Sequence, residues 1–177
     1  MRTEKLHAGA TFPALNVAND DNDFINISQP PGDNDWQMVV VYRGRHCPLC
    51  TRYLNTLSDY RDRLASIGLG VAAVSADSRD QLEEHRDRLT VNYPLYHGLS
   101  VAQMQALGLY ISIPRSEQET DHNFAEPGLF VINANGALQV VDISNNPFVR
   151  PDLETLISGL EWIRNPDNNY PIRGTWR

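Results

Sequence analysis

The chain of 177 residues is 41% apolar and 21% charged, the size and make-up of one globular unit (1–177) that buries a core without disulfides or metal. Its 22 acidic and 15 basic residues leave a formal charge of −7, which excludes a protein built mainly to grip nucleic-acid phosphates. No apolar run reaches the roughly 18 residues of a membrane helix, and no apolar stretch of signal-peptide type follows Met1, so a cytoplasmic protein with no nucleic-acid or membrane partner is expected.

Residues 1–35 are rich in loop formers. Thr11-Phe12-Pro13-Ala14-Leu15-Asn16-Val17 reads as an edge segment, because proline cannot donate to a central ladder. Phe24-Ile25-Asn26-Ile27 alternates as a short strand does. Residues 36–42, centred on Met38-Val39-Val40-Val41, suit a strand buried on both faces, as in a parallel sheet. After the loop Arg43-Gly44-Arg45-His46, apolar residues recur at Leu49, Tyr53, Leu57, Tyr60, Leu64 and Ile67, which predicts one helix over 48–67. Pro48 stands at its first position, Cys47 at its N-cap and Gly68 where it should stop.

Residues 69–76 form another buried-strand candidate. Ser78-Arg79-Asp80-Gln81 matches a capping box that opens a charged helix to about residue 89, and His85 on that helix is expected to be solvated. Tyr93-Pro94-Leu95-Tyr96 is a short extended piece and 101–109 a short helix. The polar stretch 112–126 has no period. It is either a cover for the active site or an ordinary surface insertion. Residues 129–132, the turn Asn133-Ala134-Asn135-Gly136 and residues 137–143 predict a hairpin. Leu153, Leu156, Ile157, Leu160 and Ile163 stripe a last helix. The tail 165–177 either folds back over the domain, whose core spans about 12–164, or meets a second subunit. The order of elements predicts an α/β three-layer sandwich, a mixed central sheet with helices on both faces.

The chemistry concentrates at Cys47 and Cys50, the only two cysteines and no disulfide framework. The thiolate is the reactive form of cysteine, and its population is set by pKa. Cys47 lies at a helix N-terminus, where free N–H groups and the macrodipole favour an anion. Arg43 and Arg45 are within a few residues, and adjacent His46 is a candidate for tuning the thiol. Cys50, one turn further, shares the same face and can attack an oxidised Cys47. The spacing assigns Cys47 as nucleophile and Cys50 as resolving thiol. A C-x-x-C is also half a zinc site, but zinc needs about four ligands, there is no second pair, and His85, His97 and His122 are scattered. No metal and no bound cofactor is expected.

Several segments carry a family resemblance over about 12–160. Val39-Val40-Val41-Tyr42-Arg43-Gly44-Arg45-His46-Cys47-Pro48 resembles the strand and loop leading to the active cysteine of the peroxiredoxin-like branch of the thioredoxin superfamily, the alkyl hydroperoxide reductase/thiol-specific antioxidant family. Gly70-Val71-Ala72-Ala73-Val74-Ser75-Ala76-Asp77-Ser78 is similar to its next strand, which ends in Ser-x-Asp-Ser. Tyr93-Pro94-Leu95, residues 128–136 and Arg150-Pro151-Asp152-Leu153-Glu154-Thr155-Leu156 resemble its later elements in the right order. The resemblance implies a thioredoxin-like fold and a thiol-dependent peroxidase.

The site departs from that family's pattern. Gly44 stands at the threonine position, and Pro127 stands where the family has an arginine. Arg43, Arg45 or Arg150 are the candidates to replace those groups. A C-x-x-C with Pro127 before the late strand is instead similar to thioredoxins, whose proline there is cis, and Cys-Pro-x-Cys is similar to glutaredoxins. Two redox activities are therefore expected, peroxide reduction through an internal Cys47–Cys50 disulfide or exchange with a disulfide substrate. Either would draw on an external thiol reductant such as a thioredoxin or glutathione. A homodimer is one candidate assembly, and a non-catalytic metal-binding or interaction domain is the remaining alternative.

Overall fold

A computed structural model describes residues 4–176; residues 1–3 and 177, at the two ends of the sequence read above, lie outside it. Strand β3 (Trp36–Val41) is buried along its whole length and lies at the centre of a five-stranded sheet, order β5-β4-β3-β8-β9. It pairs in parallel with β4 (Leu69–Val74), which pairs in parallel with β5 (Leu95–Tyr96). On its other side it runs antiparallel to β8 (Gly128–Ile132), which forms the expected hairpin with β9 (Leu138–Ile143).

The alternation of side chains along β3 sorts the core into two layers. Trp36, Met38, Val40 and Tyr42 face helices α1 (Pro48–Ser58), α2 (Arg61–Ser66), α3 (Arg79–Arg86) and α5 (Leu153–Arg164), through Leu54, Leu57, Leu64, Leu82, Ile157 and Leu160. Val39 and Val41 face α4 (Val101–Ala106) and the N-terminal segment, through Met104, Leu107, Leu15, Val17 and Ile27. That segment carries a small antiparallel pair, β1 (Asn16–Ala18) with β2 (Phe24–Asn26). The result is the expected thioredoxin-like sandwich. Among the described residues no helix is long and apolar enough to cross a membrane.

Three expectations need correction. The helix predicted over 48–67 is two helices. The amides of Asp59 and Tyr60 bond the carbonyls of Thr56 and Leu57, each at 3.0 Å, three residues back instead of four. That tightening ends α1 and re-aims the chain. The second helix does stop at Gly68, whose φ of +83° is the left-handed cap that glycine adopts freely. The stretch 112–126 is not wholly irregular, since β6 (Ile111–Ser112) and β7 (Phe124–Ala125) pair across its ends. His85 is not solvated. It is fully buried, with Nε2 2.7 Å from the Thr51 hydroxyl on α1, and burial, with help from Arg88, lowers its pKa to about 4. In the tail, the 3₁₀ turn Pro166–Asn168 returns Tyr170 to Trp162 on α5, ring centroids 4.9 Å apart, while Trp176 stays exposed.

Candidate active site

The parallel register of β3 and β4 pairs Val41 with Val74, so the segments that follow the two strands leave the sheet side by side. From β3 comes the loop of Arg43, Gly44, Arg45 and His46. From β4 comes Asp77, whose carboxylate is fully buried and accepts the Arg45 amide at 2.8 Å. Gly44 sits at φ +138°, and a Cβ there would stand 2.6 Å from Asp77 Oδ1. Only glycine fits this close approach, which accounts physically for the missing threonine. The Gly44 carbonyl accepts the Cys47 amide at 3.2 Å, closing a turn that delivers Cys47 to the N-cap of α1 with Pro48 at the first helical position.

The Cys47 sulfur accepts the Cys50 amide, one of the free N–H groups of the helix start, at 3.2 Å. The Cys50 thiol and the Arg43 side chain also hydrogen-bond to it, and the Arg150 charge acts on it. Led by the Cys50 thiol and opposed by burial, these lower the Cys47 pKa to about 6. Cys50 goes the other way. Burial first, then the neighbouring Cys47, keeps its thiol protonated well above the ordinary range. Near neutral pH the pair is one thiolate and one thiol. Both are reduced and almost wholly covered, Cys47 at 1% exposure and Cys50 at 0%.

Two arginines converge on the pair from different elements. Arg43 is held by Glu126, with Nε 2.9 Å from its carboxylate, and its guanidinium lies 4.9 Å from the centre of the Phe124 ring. Arg150, just before α5, donates from Nη2 to Cys50 Sγ at 2.6 Å and from Nη1 to the Leu49 carbonyl at 3.4 Å, stacked over Tyr53. It also lines an open groove of about 370 Å³ with Leu49, Tyr53 and Phe148.

The other expected site residues are placed as follows. Arg45 contributes its backbone, while its guanidinium turns away to Glu84 at 3.2 Å. His46 packs edge-on against Phe124, ring centroids 4.5 Å apart. Burial and the Arg43 charge hold it below the usual histidine range, and it is not among the groups acting most strongly on Cys47. Pro127 is buried in the wall of a small cavity with Tyr42, Tyr53 and Arg150. Its peptide bond is trans, as are all those described, unlike the cis proline of the thioredoxins that it resembles in position. The stretch 112–126 meets the active-site loop through Phe124 and Glu126, and meets Asp77 through His122, with Nε2 3.4 Å from Asp77 Oδ1. Asp77, Phe124 and Glu126 were not singled out in the sequence. Only the Ser-x-Asp-Ser match pointed at Asp77. Among the described residues no group of three or more His, Cys, Asp or Glu side chains could hold a metal ion.

This fold, with a thiolate at the start of the helix after the central strand, defines a peroxiredoxin-like member of the thioredoxin superfamily. A match of residues 8–141 to the model of the AhpC/TSA family makes the assignment specific: the chain belongs to that family of thiol-dependent peroxidases. No curated protein sequence matches it. Among solved structures it is similar to a cysteine mutant of peroxiredoxin 6 of Arenicola marina (TM-score 0.75, 14% identity, 92% of this chain and 75% of that one). It is also similar to the reduced 2-Cys peroxiredoxin of Plasmodium vivax (0.71, 14%, 97% and 90%). Mycobacterium bovis AhpC is a third (0.67, 18%, 98% and 99%). At these identities the likeness is one of fold.

Proposed function

We propose that the chain reduces peroxides through Cys47 and closes the cycle with Cys50. The Cys47 thiolate attacks one peroxide oxygen. The O–O bond breaks, Cys47 becomes a sulfenic acid, and the other oxygen leaves as water or an alcohol after taking a proton. The Cys50 sulfur then displaces the hydroxyl of the sulfenic acid, a Cys47–Cys50 disulfide forms and water departs. Two thiols of an external reductant, a thioredoxin-type protein or glutathione, restore the dithiol and are themselves oxidised to a disulfide. The groove beside Arg150 is the proposed approach for that reductant, and the cytoplasm, which keeps thiol reductants reduced, the proposed setting.

The observation that carries this reading is a thiolate covered to 1% exposure with Arg43 and Arg150 converging on the thiol pair. Cationic donors beside a reacting sulfur stabilise the charge that develops on the departing oxygen. A small peroxide reaches a covered sulfur far more readily than a protein disulfide does, because attack on the latter needs a second chain laid against it. The C-x-x-C spacing favours disulfide exchange as the second reading.

One equivalent of hydrogen peroxide added to the reduced protein is expected to give a species two hydrogens lighter, with Cys47 and Cys50 joined in its peptide map. Slow, unselective oxidation, or an intermolecular disulfide instead, would count against the scheme.

A further inference from the structure

The buried carboxylate of Asp77 has no part in the steps above, and its surroundings are unusual. One oxygen, Oδ2, accepts the Arg45 amide at 2.8 Å; the other, Oδ1, has no hydrogen-bond partner and looks toward His122 Nε2 at 3.4 Å. A fully buried carboxylate is costly to keep unless it is paired, and this one faces one backbone amide and one histidine. Asp77 is itself firmly fixed. Its amide donates to the Ser75 hydroxyl at 3.1 Å and its carbonyl accepts the Gly98 amide at 2.9 Å. We propose that Asp77 is a positioning residue for Cys47, its carboxylate holding the turn from Gly44 to Cys47 at the Arg45 amide.

The coupling is mechanical. Gly44 lies so close to Oδ1 that a methyl group would not fit between them. The Gly44 carbonyl takes the Cys47 amide, and the Arg45 carbonyl takes Arg88 Nη2 at 3.2 Å. With the turn closed on one side and braced on the other, a shift of Arg45 becomes a shift of the sulfur. The sulfur in turn depends on a 3.2 Å bond from the Cys50 amide and on its contact with Arg43, both steep in distance and angle. The groups acting most strongly on the sulfur are Cys50, Arg43 and Arg150, without Asp77. The contact that links Asp77 to the sulfur is the turn, through the Arg45 amide.

This rests on Cys47 being the reacting thiol, and the test reads that thiol directly. The pH dependence of Cys47 alkylation by iodoacetamide is measured on the reduced full-length protein and on Asp77→Asn and Asp77→Ala. Asparagine keeps an oxygen for the Arg45 amide, so Asp77→Asn is expected to titrate like the parent. Asp77→Ala has no acceptor, so its Cys47 should titrate nearer the ordinary thiol value of about 8.5 and react about tenfold more slowly at pH 7. A lowered pKa in both variants would show that Asp77 acts by charge, and parental behaviour in both would show that it only supports the fold; either overturns the proposal. If Asp77→Ala does not fold, Asp77→Ser takes its place: its hydroxyl sits more than an ångström short of the carboxylate oxygen that meets the Arg45 amide, so a raised Cys47 titration upholds the proposal and a parental or lowered one overturns it. The titration needs no peroxide turnover, so loss of the peroxidase reading would show separately, as a parent protein that does not consume peroxide.

Discussion

Cys47→Ser is expected to lose peroxide consumption down to the uncatalysed level, while Cys50→Ser keeps one rapid turnover and then stops. The asymmetry follows from the opposed ionisation of the two sulfurs. Cys47 titrates at about 6 and supplies the thiolate, and Cys50, pushed up by burial, remains a thiol. Serine has no comparable anion near neutral pH, so the first replacement removes the nucleophile. The second leaves the nucleophile but removes its internal partner, so the sulfenic acid persists and can be captured by a sulfenic-acid-selective reagent. The Cys50 thiol is also the leading group in holding down the Cys47 pKa, so the single turnover of Cys50→Ser should be somewhat slower than that of the parent near pH 6. Repeated turnover by Cys50→Ser with a monothiol-free reductant would remove Cys50 from its resolving role.

The arginines carry the second large effect. Arg43→Met alone would leave Glu126 buried without its counter-charge, which by itself destabilises the fold. The informative variant is therefore Arg43→Met with Glu126→Gln, which removes both charges. It is expected to slow oxidation of Cys47 by about a hundredfold, the scale on which one well-placed oxyanion donor acts, and to raise the Cys47 pKa. Arg150→Met should differ in kind. Arg150 contacts Cys50 directly and reaches Cys47 by charge, and its loss pushes the Cys50 pKa higher still, since its charge is a lowering influence there. Disulfide formation should slow more than sulfenic acid formation, so the sulfenic acid should accumulate after one equivalent of peroxide. Stopped-flow tryptophan fluorescence separates the two phases. Equal slowing of both would make Arg150 a general electrostatic contributor and not one tied to Cys50.

What the sequence disclosed, and what it hid, divides along the range of the interactions. The buried runs at 36–42 and 69–76, Cys47 as the N-cap with Pro48 behind it, and the capping box at Ser78 depend on near neighbours, and each stands in the structure. The break at Asp59 and Tyr60 left no trace, because neither glycine nor proline marks it and the apolar period passes through unchanged. His85 looked solvated because its helix is charged, yet it turns inward onto Thr51, thirty-four residues earlier in the chain. Arg45 looked like a tuning residue by proximity, but the backbone of the turn sends its side chain to Glu84. Glu126, Phe124 and Asp77 reach the site from other elements, which only tertiary structure joins. The missing threonine read as a deficiency in the sequence. In the structure Gly44 is what the nearby Asp77 carboxylate requires.

A dithiol built to meet peroxide at neutral pH should show it in the rate at which the reduced protein reacts with hydrogen peroxide as a function of pH. A depressed thiol pKa means that the reactive anion is fully formed above that value and is lost as pH falls through it. The second-order rate is expected to climb through pH of about 6 and then level off, at a plateau far above that of a free thiol. A rate equal to that of a free thiol, still climbing toward pH 9, would contradict it.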